Sequence, residues 1–346
     1  MTKMTAALYD GAGSMKLTQI PAPVARPGEA LVRVQSVGIC GSDLLMNASR
    51  KDADTMPAGH EVAGEIIAVG DGVDPIVVGR RVAIDTIGLG RACQQCWYCR
   101  TGQYRSCMDR TPESGGAFAQ YMTRLADGCF PLRENISWHE GALVEPLAVS
   151  IHGMRRGDLR SGETVAILGA GNIGLTAVAA ARAMGAGRIL VTARHPHQAD
   201  MARKLGADVA VTSEGDALQD ALMEETEGRG ADLTLETVGG RTNATLQQAI
   251  DVTRVQGRIA VLGGFHAPIT LDWLPSLLKE QSFIFSSCYS VMDGRHDFEL
   301  AIEMMASGRV NLRQMVTHEL PLAEIQRGFD TAYDKTSGSI KVQIHS

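Results

Sequence analysis

The chain has 346 residues, 45% of them hydrophobic, enough for two domains of roughly 150 residues each and a sizeable core. Lys and Arg number 33 against 39 Asp and Glu, a net charge of -6 carried by scattered residues. Without a basic stripe to follow a phosphate backbone, nucleic acid is excluded as a partner.

The first residues, MTKMTAALYD, lack the apolar stretch and small-residue cleavage site of a secretory signal, so a cytoplasmic protein is expected. The seven cysteines are Cys40, Cys93, Cys96, Cys99, Cys107, Cys129 and Cys288. An odd number in such a chain fits a reducing compartment, where clustered thiols serve metals sooner than disulfides.

The first chemistry-bearing stretch is SVGICGSD at 36–43, followed by PAGHEVAGEI at 57–66. Cys40, His60 and Glu61 offer a thiolate, an imidazole and a carboxylate, a set that suits a catalytic zinc with a position left for water or substrate. Singly, each has a plainer reading: Cys40 in a core, His60 in a turn, Glu61 in solvent. Their joint occurrence with the motifs further along gives them weight. Between them, Arg50 and Lys51 stand close to Asp52 and Asp54, as in a solvated surface turn.

Residues 93–107 read CQQCWYCRTGQYRSC. Cys93, Cys96, Cys99 and Cys107, in a lobe over 91–110, can converge on one zinc at about 2.3 Å each. Similar spacings serve iron–sulfur clusters, and a metal-free thiol loop is the bland alternative. Four cysteines leave no open coordination position, so this metal is structural and the chemistry lies elsewhere. Glu145, in LVEPLAVSIHG, is a further candidate beside the catalytic metal.

The segment 162–186, GETVAILGAGNIGLTAVAAARAMGA, predicts a strand over 164–168, a turn carrying Gly169, Gly171 and Gly174, and an Ala-rich helix. Its uncharged run over 164–181 is broken by these glycines, which argues against a membrane span and leaves the membrane out as a partner. Such a turn brings backbone close to a pyrophosphate at a helix N-terminus, so Gly169, Gly171, Asn172, Ile173 and Gly174 are candidate cofactor residues. Further strands are predicted over 188–192, 208–212, 232–236 and 258–262 with helices between them, the pattern of a doubly wound parallel sheet. Leu262, Gly263, Gly264, Ser287 and Tyr289 complete the cofactor candidates from the later strand ends.

Cofactor choice turns on VTARHPHQ at 191–198. NAD-binding sheets of this kind end the second strand in Asp or Glu, about 20 residues after the glycines. Here that position is Ala193, and Arg194 follows with His195, His197 and Gln198 alongside. A guanidinium in place of a carboxylate favours a 2′-phosphate, hence NADP over NAD; the plainer reading has Arg194 in solvent and either cofactor accepted.

In combination, CGSD at 40–43, GHE at 59–61, the four-cysteine lobe, GGAFAQY at 115–121, EPLAVSIHGMRRG at 145–157, GAGNIG at 169–174 and VTHELPL at 316–322 resemble the zinc-dependent medium-chain alcohol dehydrogenases. Within them, the likeness is to the sorbitol or polyol dehydrogenase branch and covers nearly the whole chain. The resemblance implies an α/β fold: a GroES-like, mostly β catalytic domain over 1–151 and 289–346, and an inserted Rossmann domain over 152–288. It also implies a cleft between them for cofactor and substrate, and a homo-oligomer, dimer or tetramer. Cys40, His60 and Glu61 match the catalytic zinc ligands, and Glu145 a carboxylate that ligates directly or through water. Ser42 matches the hydroxyl that passes the alcohol proton outward, and Asp43 a residue that orients the ligand histidine. The implied reaction moves hydride between an alcohol or carbonyl substrate and nicotinamide C4, with zinc as Lewis acid.

Three positions depart from the polyol branch. Leu45 stands where a histidine is common, Met46 where an aromatic is, and Cys288 replaces the Arg of an Arg-Tyr pair that ends at Tyr289. The segment between Cys40 and His60 is also shorter. The expectation is a dehydrogenase of a polyol or sugar-derived secondary alcohol. The alternatives are a sugar-acid or phosphorylated-polyol dehydrogenase and, from a different class, a non-catalytic nucleotide-binding or redox sensor; Cys40, Ser42, His60, Glu61 and Glu145 all being present weighs against the sensor.

Overall fold

Alternating apolar and polar residues make the N-terminal part of the chain β-rich in the computed structural model, which describes residues 2–346. β1 (Lys3–Tyr9) and β2 (Met15–Pro21) pair antiparallel. β3 (Glu29–Gly38) buries Ala30, Val32, Val34 and Ser36 on one face, the period of two that a strand imposes. After α1 (Gly41–Ser49) come β4 (Glu61–Val69), β5 (Arg81–Ile84), the short α2 (Trp97–Arg100), β6 (Tyr121–Leu125), β7 (Cys129–Pro131) and α3 (Trp138–Gly141). α4 (Val144–Arg156) then leads into a different architecture.

There the central strands are short apolar runs buried on both faces, the composition of a parallel sheet covered by helices. β8 (Thr164–Leu168), α5 (Asn172–Ala183), β9 (Arg188–Ala193), α6 (Pro196–Lys204), β10 (Val209–Thr212), α7 (Ala217–Glu225), β11 (Ala231–Glu236), α8 (Ala244–Val252), β12 (Thr253–Val261), α9 (Leu274–Leu278) and β13 (Ser282–Phe285) alternate along the chain. The six strands lie in the order β10-β9-β8-β11-β12-β13, all parallel, and the order reverses between β8 and β11. At such a switch point the strand ends open toward a ligand. The predicted strands all form; β12 begins five residues before the expected 258.

The chain returns through β14 (Val291–Met292), β15 (Arg295–His296), α10 (Asp297–Ala306), β16 (Val316–Pro321), α11 (Ile325–Tyr333) and β17 (Lys341–His345). β16 and β17 join the first sheet, ordered β16-β17-β3-β4-β5-β7 with β6 also on β3. Its core includes Tyr9, Val32, Val34, Ile84, Phe118 and Phe329. Two units result, one of residues 1–145, 290–306 and 313–346, the other of 146–289 and 307–312. The division at 145/146 falls within α4, so no loop marks it; the boundary drawn from sequence at 151/152 lies in the same helix. Among the described residues no helix is long and apolar enough to cross a membrane.

Two glycines of the turn after β8 do different things. A Cβ on Gly174 would stand 1.8 Å from the Gly169 carbonyl oxygen, whereas one on Gly171 would meet nothing within 4 Å. Gly174→Ala is therefore expected to cost about 1–3 kcal/mol through overpacking. Gly171→Ala should stay within about 0.5 kcal/mol of wild type, because its added methyl enters open space. Thermal unfolding of the two variants, paired with cofactor titration, checks this: both lose binding, and only the first loses stability.

Candidate metal and cofactor sites

The first site assembles where β3 passes into α1. Cys40 is the N-cap of α1, and its backbone N–H donates to Asp43 Oδ2 at 2.9 Å. Asp43 is fully buried, and its Oδ1 lies 3.8 Å from His60 Nδ1. One carboxylate thus orients both the backbone of Cys40 and the ring of His60. Before His60, Gly59 has φ +96°, and a Cβ there would stand 3.0 Å from the Phe118 nitrogen, so the GHE turn requires its glycine. Glu61 opens β4 directly opposite Gly38, where a Cβ would stand 2.1 Å from Glu61 Oε2. The ligand atoms of Cys40, His60 and Glu61 all lie within 4.8 Å of one another. Ser42 is exposed on the first turn of the same helix.

Glu61 is not solvated. Lys341 Nζ, itself buried, donates to both its oxygens at 2.9 and 2.6 Å and to the Ile39 carbonyl at 3.1 Å. Sequence reading missed Lys341, which opens β17 with nothing in KVQIH to set it apart from a solvated strand lysine. Glu145, at the start of α4, is 5% exposed and lies outside the mutual group of three. Burial pushes its carboxyl up to about 8, with the His60 charge opposing and Glu61 adding. Burial likewise raises Asp43, against the pull of His60. Burial opposes protonation of His60, but the negative charges of Asp43, Cys40 and Glu145 hold its imidazole well above the usual range. Three buried acids and a thiol with one lysine form a pocket short of positive charge. The donor set, one sulfur with nitrogen and oxygen, fits a divalent zinc.

The second group is the lobe. The sulfurs of Cys93, Cys96, Cys99 and Cys107 all lie within 4.8 Å of one another, and none is in a disulfide. Backbone N–H groups point into it: Cys93 donates to Cys107 Sγ at 3.2 Å and Cys96 to Cys93 Sγ at 3.4 Å. The N–H groups of Met108 and Cys99 hold the Cys96 thiol down at about 6, those of Gln95 and Cys96 lower Cys93, and burial pushes Cys99 up. Backbone donors favour thiolates, and four convergent sulfurs fit a closed tetrahedral zinc. Cys129 and Cys288 lie outside both groups.

In the second unit, Gly169 has φ +96°, and its N–H donates to Thr192 Oγ1 at 2.8 Å. Gly171 caps α5, and Asn172, Ile173 and Gly174 form its first turn. Ala193 is buried at the end of β9 with Arg194 exposed after it, so no carboxylate stands at the strand end. His195 caps α6, its N–H donating to Gln198 Oε1 at 3.3 Å, and the rings of His195 and His197 stack with centroids 5.4 Å apart. Leu262 and Gly263 donate their N–H groups to the Glu236 carbonyl, and the Gly264 carbonyl accepts from Gly240 N–H. Ser287 and Tyr289 follow β13; Tyr289 is buried, and Cys288 between them has φ +59°. Sequence reading also missed the Glu236 side chain. Its Oε1 accepts from Val238 N–H, Gly239 N–H and the Thr245 hydroxyl at 2.8 to 2.9 Å, shaping the turn after β11.

Of the departures, Leu45 is 44% exposed and Met46 packs partly against the β core. Arg50 pairs with Asp54 and lies 5.6 Å over the Tyr9 ring.

The sequence matches two family models, an alcohol dehydrogenase GroES-like domain over residues 26–134 and a zinc-binding dehydrogenase domain over 172–307. It is 35% identical to a sorbitol dehydrogenase of Bacillus subtilis (strain 168) over 353 residues, covering 99% of this chain and 97% of that protein. It is 31% identical to an L-idonate 5-dehydrogenase of Vitis vinifera, covering 97% and 93%. Among solved structures, galactitol-1-phosphate dehydrogenase from Escherichia coli superposes with a TM-score of 0.87 at 25% identity, over 99% of this chain and 100% of that one. Motifs, fold and relatives agree: the chain belongs to the zinc-dependent medium-chain alcohol dehydrogenases, in their polyol dehydrogenase-like branch.

Proposed function

We propose that this dehydrogenase oxidises a secondary alcohol of a neutral polyol or sugar-derived substrate, with NADP favoured over NAD, using the Cys40, His60 and Glu61 site, while the lobe holds a structural zinc. The observation that carries the reading is the convergence of those three ligand atoms within 4.8 Å beside an exposed Ser42. When bound there, zinc supplies Lewis acidity at the substrate oxygen. Asp43 faces His60 Nδ1, which leaves Nε2 as the ligand nitrogen and fixes the ring. Ser42 accepts the alcohol proton at Oγ and releases it to water. With Leu45 one turn further along α1, the next side chain carries no titratable group, so the proton leaves without a histidine step. Glu61, held by Lys341, is the ligand that exchanges most readily, because an alternative cation already stands 2.6 Å away.

The commitment of Arg50 to Asp54 and Tyr9 supports a neutral substrate over a sugar acid or phosphate. Ala193 and exposed Arg194 support NADP, through the lost repulsion of a 2′-phosphate and the gained charge-assisted bonds. Self-association is supported by β13, an edge strand with Phe285 exposed and with Trp273, Leu274, Leu277 and Leu278 exposed nearby in the chain.

Absorbance at 340 nm with a panel of polyols, sugar acids and polyol phosphates, each with NAD and NADP, tests substrate and cofactor together. The expected result is the highest kcat/KM with a neutral polyol and NADP; a preference for NAD overturns the role of Arg194, and a preference for acids or phosphates overturns the neutral substrate. For the metals, two zincs per chain are expected, the one at Cys40 lost first to a chelator together with activity while the fold persists. Cys40→Ser should retain one zinc and no activity by metal analysis. In the metal-free chain, Glu145 has its carboxyl raised from 4.5 to about 8, so its protonated form is fully stabilising below 4.5 and that contribution is lost as pH rises through 8. Metal-free Glu145→Gln should therefore match wild type near pH 4.5 and melt at a higher temperature than wild type above pH 8. An unchanged difference across that range would show Glu145 to be ordinarily hydrated.

A further inference from the structure

We propose that Tyr9 is a positioning residue of the metal centre, anchoring Asp43 through its phenol and, through its backbone and ring, pinning the loop that joins Cys40 to His60. The inference rests on reading Cys40, His60 and Glu61 as metal ligands.

Tyr9 ends β1 and is 1% exposed. Its hydroxyl donates to the Asp43 carbonyl at 3.3 Å and to Asp43 Oδ1 at 3.4 Å. Oδ1 is also the oxygen that faces His60 Nδ1, while Oδ2 takes the Cys40 N–H. The phenol is thus a second hydrogen-bond donor, beside the Cys40 N–H, on a carboxylate that water does not reach, and it holds the Oδ1 edge turned toward His60. Burial and the neighbouring Asp43 charge push the phenol far up, so it remains a donor.

The same residue grips the loop. The Tyr9 carbonyl accepts the Asp54 N–H at 2.9 Å, and Arg50, paired with Asp54, lies over the ring. Just beyond, Gly11 runs so close to Asp52 that a Cβ would stand 2.6 Å from its carbonyl carbon. Phe329 holds the ring edge-on at 6.2 Å. The loop that departs from Cys40 along α1 and arrives at His60 is therefore fastened at its middle to the residue that also fastens Asp43.

If Tyr9 only filled the core, phenylalanine would serve equally. Loss of the hydroxyl leaves a buried acceptor short of a donor, and groups that orient ligands in this way are worth about 10–100-fold in metal affinity. The test is competition of the full-length, zinc-loaded chain against a chromophoric chelator, with the lobe zinc as internal reference and the visible band of cobalt substituted at the labile site as a second readout. Tyr9→Phe should lower zinc affinity at the labile site by about 10-fold or more and shift the cobalt band, leaving the lobe unchanged. Phe329→Leu, which disturbs the ring packing but keeps the phenol, should stay within about 3-fold of wild type. A change under about 3-fold with an unaltered cobalt band in Tyr9→Phe, or an equal loss in Phe329→Leu, overturns the role. If Phe329→Leu does not fold, Tyr9→Phe measured against the lobe decides alone. Wild-type protein that holds only the lobe zinc overturns the ligand reading instead.

Discussion

The catalytic unit is organised around a carboxylate that has been taken out of water. Asp43 accepts hydrogen bonds from the Cys40 N–H and the Tyr9 hydroxyl and faces His60 Nδ1 at 3.8 Å from a fully buried position. An ionised acid in such a place costs several kcal/mol unless it is hydrogen-bonded and matched by positive charge. Glu61 and Glu145 compound the problem, since they are buried close by. Lys341 is bonded to Glu61, while the His60 imidazole, and Lys341 to a smaller extent, are the positive charges felt by Asp43 and Glu145. A divalent cation held by Cys40 and His60, as proposed above, would add positive charge beside these acids.

The two thiol-bearing groups are built in opposite ways. In the lobe, all four ligands come from 15 residues of chain, and backbone N–H groups stabilise the thiolates, so local structure suffices. At Cys40 the ligands come from the end of β3 and the start of β4, and their supports from β1 and β17. A site assembled from four distant segments is less self-contained. It also keeps a ligand, Glu61, whose alternative partner is already in place. Closure suits structure, and exchange suits chemistry.

This difference also decides what was legible before the structure. The lobe, the turn at Gly169 and the strands of the nucleotide-binding unit are written in short segments, where spacing and apolar runs carry the signal. Cys40, His60 and Glu61 gained weight only in combination, because each residue type has a common structural use. Lys341 was invisible: its partner Glu61 lies 280 positions away, and a lysine in a strand ordinarily points to solvent. Tyr9 reads as one more apolar strand residue, and its 34-residue separation from Asp43 hides the contact. Glu236 hid for a subtler reason. It ends β11 where a solvated acid would be unremarkable, yet it turns back to hold the N–H groups of Val238 and Gly239.

The departures from the polyol branch follow one physical direction. Leu45 replaces a group that can carry a proton with one that cannot, and it is partly exposed on the same helix as Ser42. Arg50 brings a charge into the shortened loop, but Asp54 and the Tyr9 ring absorb it. An arginine satisfied in this way is a strut: its planar head spans an acid and an aromatic face, which a lysine would not do as well. The segment between Cys40 and His60 is braced to Tyr9 in this chain. A shorter, braced connection has fewer conformations to surrender when the metal binds, and that entropy is saved where the ligands are most widely drawn. Leu45, Met46 and the brace to Tyr9 all lie in the one segment that joins Cys40 to His60.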